Sequence, residues 1–317
     1  MKRFGLKLLL YLAITAAVIA VLFAILPYNH DGYMRAQLYK DSLLRARTQP
    51  SLVLLGGSNV AFGFDSHRME QALGVPVVND GMHGYMGMRM IMDNYERVAL
   101  KGDVVVVMPE YIQYFNELAE GEQPMVDLAY LSPRDYLPLL KGKQRLALAK
   151  FTSANLRARI EYAISSWLIP DYKTIYRASA FNDLGDVTGH WDDTTGVEFV
   201  TLTTPLTEHE PINEGFVTYL HETLDRWVDS GLTVIVCPPA YAVTAYNNIL
   251  PNIRCADSLM RDMGHPFACP PEQMLLPDSM FYDTDYHLNG IGAQERTTRM
   301  IEVLKPLLTP LPTPPVK

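Results

Sequence analysis

The residues able to do chemistry stand near the two ends of the chain's globular part. Near its start, the run Leu52-Val53-Leu54-Leu55 stops at Gly56-Gly57, and Ser58 follows at once. Near its end, Asp283, Asp285 and His287 share the segment FYDTDYHLNGIG, Phe281 to Gly292. A helix rich in Arg and Glu follows, Ala293 to Leu304. A serine hydroxyl is a weak nucleophile until a base takes its proton, and a histidine oriented by a carboxylate is a good base. Together these types can perform acyl transfer through a Ser–His–Asp triad. Taken alone, a serine after two glycines is an ordinary turn residue. The chemical reading therefore needs a fold that brings Ser58 and His287 into one cleft.

The surrounding pattern supplies such a fold. A short apolar run ending in glycine predicts a buried parallel strand. Gly56 and Gly57 permit a sharp turn, and Ser58 falls at the carboxyl end of the strand, where open α/β sheets bind ligands. Asp65 is placed to cap a helix over about Ser66 to Leu73. Val75 to Asn79 reads as a second strand, Asp80 to Gly87 as a glycine-dense loop, Met88 to Leu100 as a helix, and Asp103 to Met108 as a third strand. This alternation predicts an α/β fold, a doubly wound parallel sheet in a flavodoxin-like three-layer arrangement. About 115–212 breaks the alternation with helical pieces (Arg145 to Trp167) and aromatic-rich loops (Tyr172, Tyr176, Phe181, Trp191). We read it as an insertion over one end of the sheet, either shaping a substrate groove or forming a purely structural layer. The pattern resumes with a helix (Asn213 to Ser230), a strand (Leu232 to Cys237), a helix (Tyr246 to Met263) and a short strand around Pro266 to Cys269. The tail 309–317, TPLPTPPVK, reads as an extended proline-rich segment.

With 317 residues, 48% of them hydrophobic, the chain has enough for one large domain with an insertion. The net charge of -8, with no Lys/Arg stripe, argues against a nucleic-acid partner. Phe4 to Pro27 is apolar except for Lys7 and Thr15, long enough to cross ~30 Å of hydrocarbon as a helix. Lys2, Arg3 and Lys7 lead it, which predicts a cytoplasmic N-terminus. A cleaved signal peptide would have a shorter apolar core, about 7–15 residues, and a small-residue cleavage site. The expectation is an uncleaved single-pass anchor over 1–27, a polar, partly helical stem over 28–50 that spaces the domain from the membrane, and an extracytoplasmic domain over 51–308. Cys237 reads as a buried small hydrophobe. Cys255 and Cys269 form a candidate disulfide. His67, His190, His209, His221 and His265 show no metal-ligand spacing. His83 reads as a loop-stabilising residue, and no cofactor is expected.

Over about Ser51 to Tyr114 and Leu232 to Leu308 these motifs resemble the SGNH/GDSL-type hydrolases; the insertion is not covered. In that family a Gly-Asp-Ser turn supplies the nucleophile, here Gly56-Gly57-Ser58. A glycine after the second strand supplies an oxyanion-binding amide, here Gly84 or Gly81. An Asp and a His before the final helix complete the triad, here His287 with Asp283 or Asp285. The commonest spacing puts the Asp three residues before the His, where this chain has Thr284. Asp285, two before, is similar in spacing to alginate-acetylating members and is favoured; Asp283, four before, stays open. The family's third block offers an Asn side chain where this chain has Glu110, with Tyr111 beside it. An ionised carboxylate cannot donate to an oxyanion. Either backbone N–H groups and Tyr111 serve instead, or Glu110 has another task, such as orienting the insertion.

The anchor and domain together are similar to membrane-tethered members that modify envelope polymers, in alginate and peptidoglycan O-acetylation and teichoic-acid D-alanylation. The resemblance implies a serine acyl esterase or O-acyltransferase acting on an envelope glycan, periplasmic or extracellular, at the cytoplasmic membrane. It also implies a multi-pass membrane acyltransferase as partner. Glu110 in place of Asn leaves a second expectation open: a catalytically weak accessory protein of the same fold that binds polysaccharide or assembles a modification complex.

Overall fold

The apolar runs become strands. In the computed structural model, which describes residues 2–168, 174–192, 206 and 210–308, β1 (Leu52–Gly56), β2 (Val77–Asn79), β3 (Val104–Met108) and β4 (Thr233–Val236) form one parallel sheet in the order β2-β1-β3-β4. Tyr172, His209 and the tail 309–317 lie outside the described residues. Leu52 sits level with Val77 on one side and Val104 on the other, so the sequence runs enter the sheet in step. β1 and β3 are buried along their whole length, which requires cover on both faces. Side-chain alternation divides them between two cores. Val53, Leu55, Val105, Val107 and Val234 face the larger core. Leu52, Leu54, Val104, Val106 and Ile235 face the smaller one.

The helices in chain order are α1 (Lys2–Ile25), α2 (Arg35–Ala46), α3 (Ser58–Ala61), α4 (Ser66–Leu73), α5 (Met88–Glu96) and α6 (Gln123–Leu131). Then come α7 (Pro133–Tyr136), α8 (Lys143–Leu168), α9 (Glu214–Asp229), α10 (Val243–Asn248), α11 (Leu250–Asp262) and α12 (Gly290–Leu308). α5, α9 and α11 cover the larger core through Ile91, Tyr95, Leu224, Trp227 and Ile253. α4 and α12 cover the smaller through Met69, Met300 and Leu304. The cap expected at Asp65 is present: its Oδ1 accepts the Arg68 N–H at 3.0 Å.

Two parts differ from the sequence reading. The strand expected around Pro266 to Cys269 shrinks to a single parallel bridge, Phe267 with Val236. Pro266 has no N–H to give, and Pro270 and Pro271 follow closely, so the ladder cannot extend. A separate two-stranded parallel sheet, β5 (Tyr241–Ala242) with β6 (Leu275–Leu276), forms nearby. The stem is not a free spacer. α2 buries Ala36, Gln37, Lys40, Asp41 and Leu44 in the domain. Asp41 accepts hydrogen bonds from Asn94 Nδ2 at 2.8 Å and from the Tyr136 hydroxyl. Arg47 Nη1 pairs with buried Asp103 at 2.9 Å.

Arg3–Ile25 contains an 18-residue window of mean hydropathy 2.8, none of it buried, and is long and apolar enough to cross a membrane. Its last turn is gripped by the insertion. Phe23 stacks on Tyr130 with centroids 4.7 Å apart, and Arg159 of α8 donates to Phe23 O at 3.0 Å. After α8 the chain returns over the serine turn. Asp186 accepts from the Ser66 N–H at 2.8 Å and from Asn79 Nδ2 at 2.7 Å, tying this return to α4 and the end of β2.

Candidate active site

β1 ends at Gly56 and is followed by Gly57 because nothing larger fits at either position. Neither has a left-handed φ; the constraint is space. A Cβ on Gly56 would stand 2.7 Å from Met108 O, and one on Gly57 2.3 Å from Glu110 Oε1. Ser58 then opens the single turn α3. This turn is fixed from behind. Asn59 Nδ2 donates to Met108 O at 3.3 Å. Arg296 of α12, fully buried, donates to Asn59 O and lies over the Phe64 ring at 4.3 Å.

His287 is held on several sides. Its Nδ1 lies 2.8 Å from Asp283 Oδ1. Phe62 stacks against the imidazole at 4.2 Å and 9°. The Tyr176 hydroxyl donates to the second oxygen of Asp283 and lies 3.2 Å from His287 Nδ1. Burial opposes charge on Asp283, yet hydrogen bonds from His287 and Tyr176 and the nearby imidazole hold its carboxyl below the ordinary range. With Nδ1–H donated to Asp283, the Nε2 lone pair is the one free to act as base.

The carboxylate partner is therefore Asp283, not the favoured Asp285. The loop folds so that Tyr282 N–H donates to His287 O at 2.7 Å. That turn brings the residue four before the histidine alongside it. Asp285, fully buried, accepts from the Tyr241 hydroxyl at 2.9 Å instead.

Ser58, His287, Glu110, Gly84, Tyr176 and His83 line one cavity of about 230 Å³ at the carboxyl end of the sheet. The Ser58 hydroxyl donates to Glu110 Oε1 at 3.3 Å, not to His287. Glu110 Oε1 also accepts from the Asn59 N–H at 3.3 Å and Asn59 Nδ2 at 3.4 Å. Burial pushes the Glu110 acid up, against those hydrogen bonds and the His287 charge. Its other oxygen faces the second loop: a Cβ on Gly84 would stand 2.1 Å from Oε2. Gln113 joins the two loops, accepting the Glu110 N–H at 3.1 Å and donating to Gly84 O at 3.1 Å.

Four other expected residues go elsewhere. Gly81 packs beneath α3, where a Cβ would stand 2.4 Å from Val60 Cβ, and its carbonyl accepts from Lys40. Tyr111 buries its ring against Tyr241 at 5.4 Å, within the larger core, so its hydroxyl is no oxyanion donor. Cys255 and Cys269 are free thiols. Cys269 instead packs in the smaller core with Cys237, because the Phe267 bridge lays that segment beside β4.

His83 Nδ1 accepts the Tyr85 N–H at 3.1 Å, the loop role expected of it. His67 pairs with Asp183 at 2.7 Å, and His190 bonds Leu288 O at 2.8 Å. His221 and His265 do converge with Asp225, their ligand atoms within 4.8 Å of one another. The chain separation of His265 from the pair on α9 hid this in the sequence. The sequence reading missed Phe62, Arg296 and Gln113. A buried arginine on an otherwise apolar helix face was the one signal on offer. No protein-family model matches this chain, and no curated protein matches it either.

Proposed function

We propose that this protein is a membrane-anchored serine acyl esterase or O-acyltransferase of SGNH type, acting on an envelope glycan outside the cytoplasmic membrane. The observation that carries the reading is the cavity shared by Ser58 and the Asp283-oriented His287. His287 Nε2 takes the Ser58 proton as Oγ attacks an ester carbonyl. The tetrahedral oxyanion is held by the Ser58 and Gly84 N–H groups, such donors contributing about 3–4 kcal/mol each. His287 then returns the proton to the leaving alkoxide, and an acyl-serine remains. Water or a sugar hydroxyl, deprotonated by the same imidazole, releases the acyl group and restores Ser58.

Glu110 fits this scheme as a neutral acid. Three donors converge on Oε1, so the proton belongs on Oε2, on the Gly84 side. There it donates as the family's Asn amide does. The ground-state bond from Ser58 to Glu110 favours a second reading, an accessory binding protein with slow turnover. Labelling by a fluorophosphonate probe separates the two. The enzyme reading expects wild type and Glu110→Gln to label and Ser58→Ala not to label. Wild type that stays folded and unlabelled would establish the accessory reading.

A further inference from the structure

The membrane side of the domain carries a second cavity, of about 250 Å³, which the proposed acyl chemistry does not use. Its wall includes Tyr28, Arg35, Asp127, Asn155, Arg159 and Tyr162. Tyr28 follows the apolar helix by a few residues, so the cavity opens where hydrocarbon would give way to headgroups. Arg159 is the unusual member. It is 4% exposed. Nε donates to Asn155 Oδ1 at 3.2 Å and Nη1 to Phe23 O at 3.0 Å. Nη2 is buried and has no partner among the described residues. The guanidinium lies 3.4 Å from the Tyr28 ring centroid and 4.5 Å from that of Phe23. Burial lowers its pKa to about 10, so it stays a cation at neutral pH.

A buried cation with an idle N–H is unfavourable unless a ligand oxygen completes it. We propose that this cavity binds a phospholipid headgroup, with its phosphodiester on Arg159. A guanidinium fork matches phosphate oxygens in geometry as well as charge. Arg159 and Arg35 against Asp127 leave one net positive charge in the wall, which balances the single negative charge of a phosphodiester. Tyr28 and Tyr162 are residues of the type that membrane interfaces collect. The domain as a whole is acidic, so a local cationic pocket beside the anchor is what lets it settle on an anionic surface. The inference rests on the membrane-anchor part of the proposed function and is independent of Ser58 chemistry.

The test uses the full chain in detergent micelles, with retained lipid counted by native mass spectrometry. Phosphatidylglycerol is compared with diacylglycerol of the same chains, which lacks only the phosphate-bearing headgroup. Wild type retains phosphatidylglycerol at least about tenfold better. Arg159→Gln abolishes the preference. Ala158→Trp, which fills the same cavity from an exposed position and leaves Arg159 in place, abolishes it too. Thermal melts verify that each variant is folded, and Ala158→Trp decides the matter if Arg159→Gln is not. Equal retention of the two lipids by wild type overturns the proposal, as does a preference that survives Ala158→Trp. Displacement of phosphatidylglycerol by millimolar inorganic phosphate would mark a soluble-anion site and likewise overturn it. Alkaline extraction of native membranes reports on the anchor separately, so loss of lipid preference and loss of anchoring are told apart.

Discussion

At the scale of single residues, two carboxylates near His287 have different tasks. Asp283 fixes the imidazole; Asp285 holds the Tyr241 hydroxyl in the interior. Asp283→Asn is expected to lower kcat for a chromogenic acetate ester by on the order of 10³–10⁴, since an amide favours the wrong imidazole tautomer. Asp285→Asn should leave kcat within about tenfold while lowering stability by roughly 1–3 kcal/mol. The reverse pattern in steady-state kinetics and melting would return the triad to Asp285. His83 supplies a pH test. Burial, aided by the His287 charge, pushes its imidazole down to about 4. Its neutral form is favoured by the fold, so the stabilisation is present above the ordinary value near 6.5 and is lost as pH falls through about 4. His83→Gln lacks this titration. The stability advantage of wild type over His83→Gln should therefore shrink between pH 7 and pH 4, by no more than roughly 3 kcal/mol. Paired thermal melts across that range would detect it, and a constant gap would count against a buried neutral His83.

At the scale of elements, α2 and the residues after it are part of the domain. Arg47 pairs with buried Asp103, whose other oxygen accepts from the Tyr95 hydroxyl at 2.7 Å. A chain begun at Tyr28 should fold. One begun at Ser51 loses the partner of a buried charge, a change worth about 3–5 kcal/mol, together with the burial of Ala36 and Leu44. It should melt far lower or fail to fold, as read by circular dichroism; equal melting would restore the stem to a spacer. The sequence carried the strands because a fully buried parallel strand is written as a continuous apolar run, as in Leu52–Leu55 and Val104–Val107. It carried the Ser58 turn for the same reason. The helical content of the stem was legible, but the docking of α2 was not, because much of its buried face is polar: Gln37, Lys40 and Asp41 find partners far away in the chain. Asp283 stayed the second choice because its approach to His287 depends on a loop turn rather than on residue spacing. The role of Glu110 depends on the loop it touches, and its own segment carries no mark of Gly84.

At the scale of the whole molecule, one apolar helix precedes a folded domain whose cleft lies at the carboxyl ends of the strands. With α1 as the anchor, the full chain should stay in the pellet after alkaline carbonate washing of membranes. A chain lacking residues 1–27 should be released to the supernatant. Release of the full chain would remove the anchor reading and leave the chemistry to be argued separately. The clasp between Phe23, Tyr130 and Arg159 has its own consequence. A helix gripped at its root has little slack, so with α1 as a tether the cleft would not swing far outward. If α1 spans a bilayer, the cleft is confined to one fixed layer above it, and under the proposed function a substrate would have to reach that layer.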